Sequence, residues 1–147
     1  MDRGAAVVLT AVVGGLIALQ APINSQLGKT IGTFQAAFIS FLIGTIALAV
    51  IAAFAKGGFS DVGEARGLSW YYLIGGLLGA IYVTTVLVTV RDLGAGGVVA
   101  ATIAGQLTLG VVLDQLGWLG VEKDPVTVTK IAGVLLLALG VFLIVRE

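Results

Sequence analysis

Hydrophobic residues dominate five runs of the chain, 5–27, 34–55, 70–90, 97–116 and 125–145, separated by short polar breaks. About 20 helical residues cross the hydrocarbon core of a bilayer, so each run is long enough to span. The breaks are Gly28-Lys29-Thr30-Ile31-Gly32, a longer polar loop from Lys56 to Leu68 with Asp61, Glu64 and Arg66, then Arg91-Asp92-Leu93-Gly94, and Glu122-Lys123-Asp124-Pro125. The pattern predicts an all-α, polytopic membrane protein, with residues 1–147 forming a single domain of five transmembrane helices.

Local signals mark the ends of these helices. Thr33 and Ser69 are expected N-caps of the second and third spans. Asp124 followed by Pro125 predicts the start of the fifth, a cap residue and then a proline whose missing N–H costs nothing there. Trp70, Tyr71 and Tyr72 stand together, and Trp118 follows the fourth run, as expected of aromatic belts at the membrane interface. The tight break at Arg91–Gly94 predicts that helices three and four are antiparallel neighbours. Lys130, one turn inside the last helix, is expected to snorkel outward. Arg3 before an apolar run has the outline of a signal peptide. The run ends at Ala18-Leu19-Gln20-Ala21, a poor match to a cleavage site, and is read as the first span.

The first span then changes character. Gln20-Ala21-Pro22-Ile23-Asn24-Ser25-Gln26 brings in two glutamines, an asparagine, a serine and a proline. An unpaired amide in lipid costs several kcal/mol. Pro22 has no N–H to donate, and its ring crowds the Ala18 carbonyl one turn earlier, so a helix break is expected at Pro22. Gln20 lies about 6 Å from the middle of the span at 1.5 Å per residue, and Asn24 is one turn further on the same face. Two readings stand: the helix leaves the membrane near Gln20, or a kinked, polar-lined helix faces a cavity.

Composition narrows the functional classes. The chain is 59% hydrophobic and 11% charged, with a mean hydropathy of +1.12; soluble domains average roughly 25% charge. The formal net charge is zero, so nothing marks a nucleic-acid footprint. Neither cysteine nor histidine occurs, which removes thiolate nucleophiles and the usual zinc ligands. No catalytic set is recognisable, no metal or cofactor is implied, and the chain is not read as an enzyme.

What remains at mid-depth is neutral and polar. Gln106 lies near the middle of the fourth span, with Thr102 one turn before it and Gly110 one turn after. Tyr82 follows Gly79 on the third helix and offers a hydroxyl and a ring face; Thr84, Thr85 and Thr89 follow it. Gln20, Asn24, Tyr82 and Gln106 together would line a substrate cavity that binds by hydrogen bonds and stacking. The competing reading makes the same amides interhelical glue. Asp114 is the acid nearest to a span centre and a possible coupling acid. Residues 93–113 carry no charge, enough for a full crossing, so Asp114 is expected at the interface. Glycines inside the spans, Gly75-x-x-x-Gly79 among them, predict close helix packing within one bundle.

Two stretches resemble a known family. Ala104-Gly105-Gln106-Leu107, Leu113-Asp114-Gln115-Leu116-Gly117, Ile131-Ala132-Gly133-Val134-Leu135 and Leu139-Gly140-Val141 look like the closing helix pair of the drug/metabolite transporter superfamily. Gln20-Ala21-Pro22-Ile23-Asn24-Ser25-Gln26-Leu27-Gly28 resembles the YdcZ-like family within it. The resemblance spans essentially the whole chain. It implies a half-size, five-helix protein of the bacterial inner membrane, taken as an exporter, whose full-size relatives hold two inverted five-helix halves. It implies no substrate and transfers no functional residue. The superfamily's four-helix multidrug exporters depend on a membrane-buried glutamate, which this chain lacks.

The leading expectation is therefore a transporter half that exports or exchanges a small molecule or metabolite through a dimer cavity. The alternatives are a carrier of a lipid-linked substrate and a non-transporting membrane subunit. Five spans put the termini on opposite sides. Arg3, Lys56, Arg66, Lys123 and Lys130 fall on the N-terminal side, against Lys29, Arg91 and Arg146 on the other. The positive-inside rule then favours a cytoplasmic N-terminus by two charges. So small a bias predicts an antiparallel dimer, either of dual-topology copies or with a paralogue. The expected partners are membrane lipids, a small-molecule substrate and that second subunit.

Overall fold

The computed structural model of the chain describes residues 2–55 and 57–146. Lys56, counted above among the loop charges, lies outside the described residues. Every regular element among them is helical, and four helical runs are long and apolar enough to cross a membrane. The protein is a polytopic, all-α membrane protein.

Helix α1 (Arg3–Ile31) opens on Asp2, whose carboxylate accepts the Ala5 N–H at 2.8 Å. It ends at Gly32, and α2 (Thr33–Phe54) starts at the next residue. Gly32 serves both helices. Its N–H donates to Gly28 O and its carbonyl accepts from Ala36 N, each at 3.0 Å. Its φ of +97° belongs to glycine, so the expected cap residue Thr33 falls instead to the first helical position.

The expected break at Pro22 does not occur. α1 continues through the proline from Arg3 to Ile31. A proline inside a helix costs about 3 kcal/mol in lost bonding and ring contact. The residues around and beyond it, Ala21, Asn24, Ser25 and Gly28, are buried, and this packing holds the helix on both sides of the proline.

After α2, a 3-10 helix (Ser60–Gly67) occupies most of the polar loop, and a second one (Trp70–Leu73) carries the aromatic cluster. The third span therefore begins as an α-helix at Gly75, not Trp70, and Ser69 makes no side-chain cap bond. The run Gly75–Leu116 contains a single non-helical residue, Gly94, at φ 67° and ψ 171°. Its 42 residues would extend about 63 Å, twice the ~30 Å hydrocarbon core. Gly94 divides it into α3 (75–93) and α4 (95–116). Arg91, Asp92 and Leu93, expected as a loop, are the last residues of α3. The fifth helix, α5, is Val128–Val145.

The chain forms two compact units, Met1–Arg91 and Asp92–Glu147. In the first, Ala36 and Leu87 are fully buried, with Ala37 and Val83, and Leu27, Ile31, Phe41 and Tyr82 pack on them. Contact pairs give the directions. Asn24 meets Ser40 and a Cβ on Gly28 would meet Ala36, so α1 and α2 are antiparallel. A Cβ on Gly79 would lie 3.3 Å from Phe41 Cζ, and Ala37 shares a cluster with Val83, so α2 and α3 are antiparallel. The three helices run up, down and up.

In the second unit, Gly97 approaches Val145, and Gln115 Oε1 accepts the Val126 N–H at 2.6 Å. α4 and α5 are therefore antiparallel. Asp124 does not start α5. Its N–H donates to the Asp114 carbonyl at 2.9 Å, and its carboxylate pairs with Lys130 Nζ at 2.8 Å. Thr127 takes over as the cap, accepting the Lys130 N–H at 3.2 Å. Lys130 turns back to this loop, where Nζ also donates to the carbonyls of Asp124 and Pro125, so its head group lies toward the helix end.

The glycines only partly pack as expected. Gly28 and Gly79 sit against other helices, whereas Cβ atoms on Gly14, Gly15, Gly44, Gly75, Gly105, Gly133 and Gly140 would meet no atom within 4 Å. Of the Gly75/Gly79 pair, only Gly79 contributes to packing inside the chain.

Candidate functional site: a polar seam between parallel helices

α1 and α3 are parallel and in steady register. Ala21 and Val83 line the same recess, and one turn later Ser25 Oγ donates to the Leu87 carbonyl at 3.2 Å. Along this seam the apolar surface gives way to amides and hydroxyls. Gln20 and Asn24, one turn apart on α1, and Tyr82 on α3 share a recess with Ile17, Ala21, Val83, Val86 and Leu87. Three of the four residues expected at a cavity are thus brought together within the first unit.

The recess encloses about 10 Å³. A single water needs ~10–15 Å³, so this recess alone has no room for a metabolite. Asn24 is 6% exposed and donates from Nδ2 to Ser40 Oγ at 3.0 Å, which ties α1 to α2. Gln20 is exposed and Tyr82 half-buried. No buried side-chain nitrogen or oxygen among the described residues lacks a partner. Asn24 therefore has a packing bond, and Gln20 and Tyr82 carry the polar groups that another molecule can reach.

From the residue after Asn24 onward, the seam holds residues not counted among the cavity candidates. Ser25 is 5% exposed; besides donating to Leu87 O, its Oγ accepts from Arg91 Nε at 3.4 Å. Gly28 is buried beside the same guanidinium. Ser25 and Gly28 on α1, and Leu87 and Arg91 on α3, each fall one turn apart, a spacing that puts each pair on one helix face. That periodicity was readable. The pairing of residues over sixty positions apart was not.

The remaining candidates belong to the second unit. Gln106 is exposed on α4, and Thr102 and Gly110, a turn to either side, are half-buried. Asp114 is half-buried near the end of α4, where its carbonyl accepts Asp124 N. Thr85 and Thr89 bond the carbonyls of Ile81 and Thr85 on their own helix, which withdraws their hydroxyls from the seam. The seam itself offers amide, hydroxyl and guanidinium groups and no carboxylate. Its chemistry is hydrogen bonding.

Residues 5–143 match the profile of a family described as "Putative inner membrane exporter, YdcZ". The "Inner membrane protein YdcZ" of Escherichia coli (strain K12) is 31% identical over 113 residues, covering 76% of this chain and 74% of that protein. No solved structure matches the chain. The family match runs through both units, from the first span with its Gln20–Gly28 stretch into α5, and on that extent the chain belongs to the YdcZ family.

Proposed function

We propose that the chain is half of a small-molecule transporter of the bacterial inner membrane, exporting or exchanging a solute along the α1–α3 seam. The observation that carries this reading is the presence of Gln20, Asn24 and Tyr82 on one recess beside an apolar core cluster. The family's description as an inner-membrane exporter supports it. Since the recess holds no more than a water, the solute path takes its other wall from a second subunit. Inverted halves enclose mid-membrane sites in this way in many carriers.

Within each subunit α1 to α5 make five crossings, with the Gly75–Leu116 run supplying two. The termini then lie on opposite sides, with the N-terminus in the cytoplasm by the charge count. Coupling does not run through a mid-membrane carboxylate, because the span centres hold none and Asp114 sits near a helix end. The small volume of the recess favours one rival, a non-transporting membrane subunit.

Reconstitution separates the two. Purified protein in liposomes loaded with a panel of labelled metabolites and toxic cations is expected to release at least one of them faster than empty liposomes do. Gln20→Leu, if folded, is expected to slow that release about tenfold, the equivalent of one hydrogen bond of ~1.4 kcal/mol. Absence of flux for every solute, with no solute raising the melting temperature, would leave the subunit reading standing.

A further inference from the structure

Arg91 is the last charged residue of the first unit, and its surroundings are built around its side chain. Ser25 is 5% exposed, and its hydroxyl hydrogen is committed to the Leu87 carbonyl at 3.2 Å. The oxygen lone pairs are left to accept, and they take Arg91 Nε at 3.4 Å. Gly28, one turn after Ser25, is buried, and a Cβ there would stand 3.3 Å from Arg91 Nη2. With no Cβ at Gly28, the guanidinium lies against α1 without having to shift.

This seat uses one of the five guanidinium N–H groups. Among the described residues of the first unit, Nη1 and Nη2 have no hydrogen-bond acceptor and no carboxylate lies within ion-pairing distance of Arg91. The residue is exposed as a whole. A guanidinium held through Nε presents its two terminal nitrogens as a planar fork, the arrangement that grips phosphate and carboxylate oxygens bidentately. Arg91 stands three residues before Gly94, near the end of an apolar helix, where a membrane-spanning helix meets headgroups and water.

We propose that Arg91, seated by Ser25 and Gly28, is a receptor for a phosphate-type oxyanion, carried by an anionic lipid headgroup or by a free solute. Ser25 and Gly28 are positioning residues: Ser25 fixes the rotation of the guanidinium, and Gly28 makes room for it. Capture of an oxyanion here requires no transport.

The test is thermal unfolding of the full chain in nanodiscs of neutral phosphatidylcholine, titrated with inorganic phosphate in one series and with phosphatidylglycerol in the other. A ligand that binds only the folded state raises the melting temperature in a saturable way. The expected result is such a rise in at least one series, abolished by Arg91→Gln, with half-saturation about tenfold weaker in Arg91→Lys, which keeps the charge and loses the fork. Ser25→Ala is expected to weaken half-saturation by about the same factor while Arg91 remains, read separately from any change in the ligand-free melting temperature; Gly28→Ala, whose Cβ would stand 3.3 Å from a flexible side-chain end, is expected to weaken it less. Saturation by phosphate assigns the seat to a free oxyanion; saturation by phosphatidylglycerol alone assigns it to a lipid headgroup. No saturable rise in either series overturns the proposal. So does a rise that persists undiminished in Arg91→Gln or, should that variant fail to fold, in both Ser25→Ala and Gly28→Ala.

Discussion

Ser25 Oγ donates to the Leu87 carbonyl at 3.2 Å, a bond between residues 62 positions apart. Leu87 is fully buried and Ser25 nearly so, and the bond marks the parallel register of α1 and α3. The seam with Gln20, Asn24 and Tyr82 on one side and Arg91 on the other depends on that register. Ser25→Ala removes the donor but leaves the Leu87 carbonyl inside its own helix. Its expected cost is therefore modest, about 1 kcal/mol, read as a lower unfolding midpoint with unchanged helicity.

Gly79 and Phe41 set the spacing of α2 and α3. A Cβ at Gly79 would lie 3.3 Å from Phe41 Cζ, the far end of a side chain that can yield slightly, so Gly79→Ala is expected to be tolerated. Gly79→Val overfills the contact and is expected to destabilise by about 1–3 kcal/mol. Phe41→Leu in the same chain is expected to recover much of the loss. Unfolding in detergent measures both. Gly133→Val serves as a contrast, since a Cβ there meets nothing within 4 Å and the fold of the single chain is expected to be unaffected.

Much of this was legible in the sequence. Apolar runs of about 20 residues leave little choice but membrane-spanning helices, and the all-α membrane fold follows from them. The Gln20–Gly28 stretch and the closing helices carried the family. Helix ends were less legible, because several local signals compete. Asp124-Pro125 has the form of a helix start, yet Asp124 is drawn to Asp114 and Lys130, and Thr127 caps α5. Thr33 is a good cap residue, but the one-residue turn needs a positive φ that only Gly32 supplies at no cost. Pro22 shows packing overriding a local penalty. The pairing of Ser25 with Arg91 was not legible for another reason. Each looks ordinary alone, and only the register of two distant helices joins them.

Coupling is a further prediction. Asp114 lies near the end of α4, beside the loop that its carbonyl helps to close. Asp114→Asn keeps that backbone contact and removes the charge. Proton-driven flux in reconstituted vesicles, where present, is expected to survive the change within about twofold, since proton-coupled carriers hold their exchangeable acids deep in the membrane. Loss of the proton dependence in a folded Asp114→Asn protein would make Asp114 the coupling site.

Orientation is tested at the C-terminus. The chain has no native cysteine, so Arg146→Cys introduces a unique label near the end of α5. If copies insert both ways to form an inverted pair, an impermeant maleimide is expected to reach this position from either face of the membrane. Labelling from one face only excludes dual topology and leaves pairing with an oppositely oriented paralogue. A parallel dimer or a monomer in native lipid rules out the inverted arrangement.

The most direct test asks what Gln20 faces. It is exposed in the single chain and lines the recess with Asn24 and Tyr82, so it borders either a watery solute path or lipid. Gln20→Cys, with Ser60→Cys in the exposed loop as reference, is treated in membrane vesicles with a membrane-impermeant maleimide and with a lipid-soluble one. If the α1–α3 seam forms the transport path, the impermeant reagent labels position 20 from at least one side of the membrane at a rate within about tenfold of position 60, since a thiol reacts as its water-accessible thiolate. Labelling of position 20 by the lipid-soluble reagent alone would contradict the account.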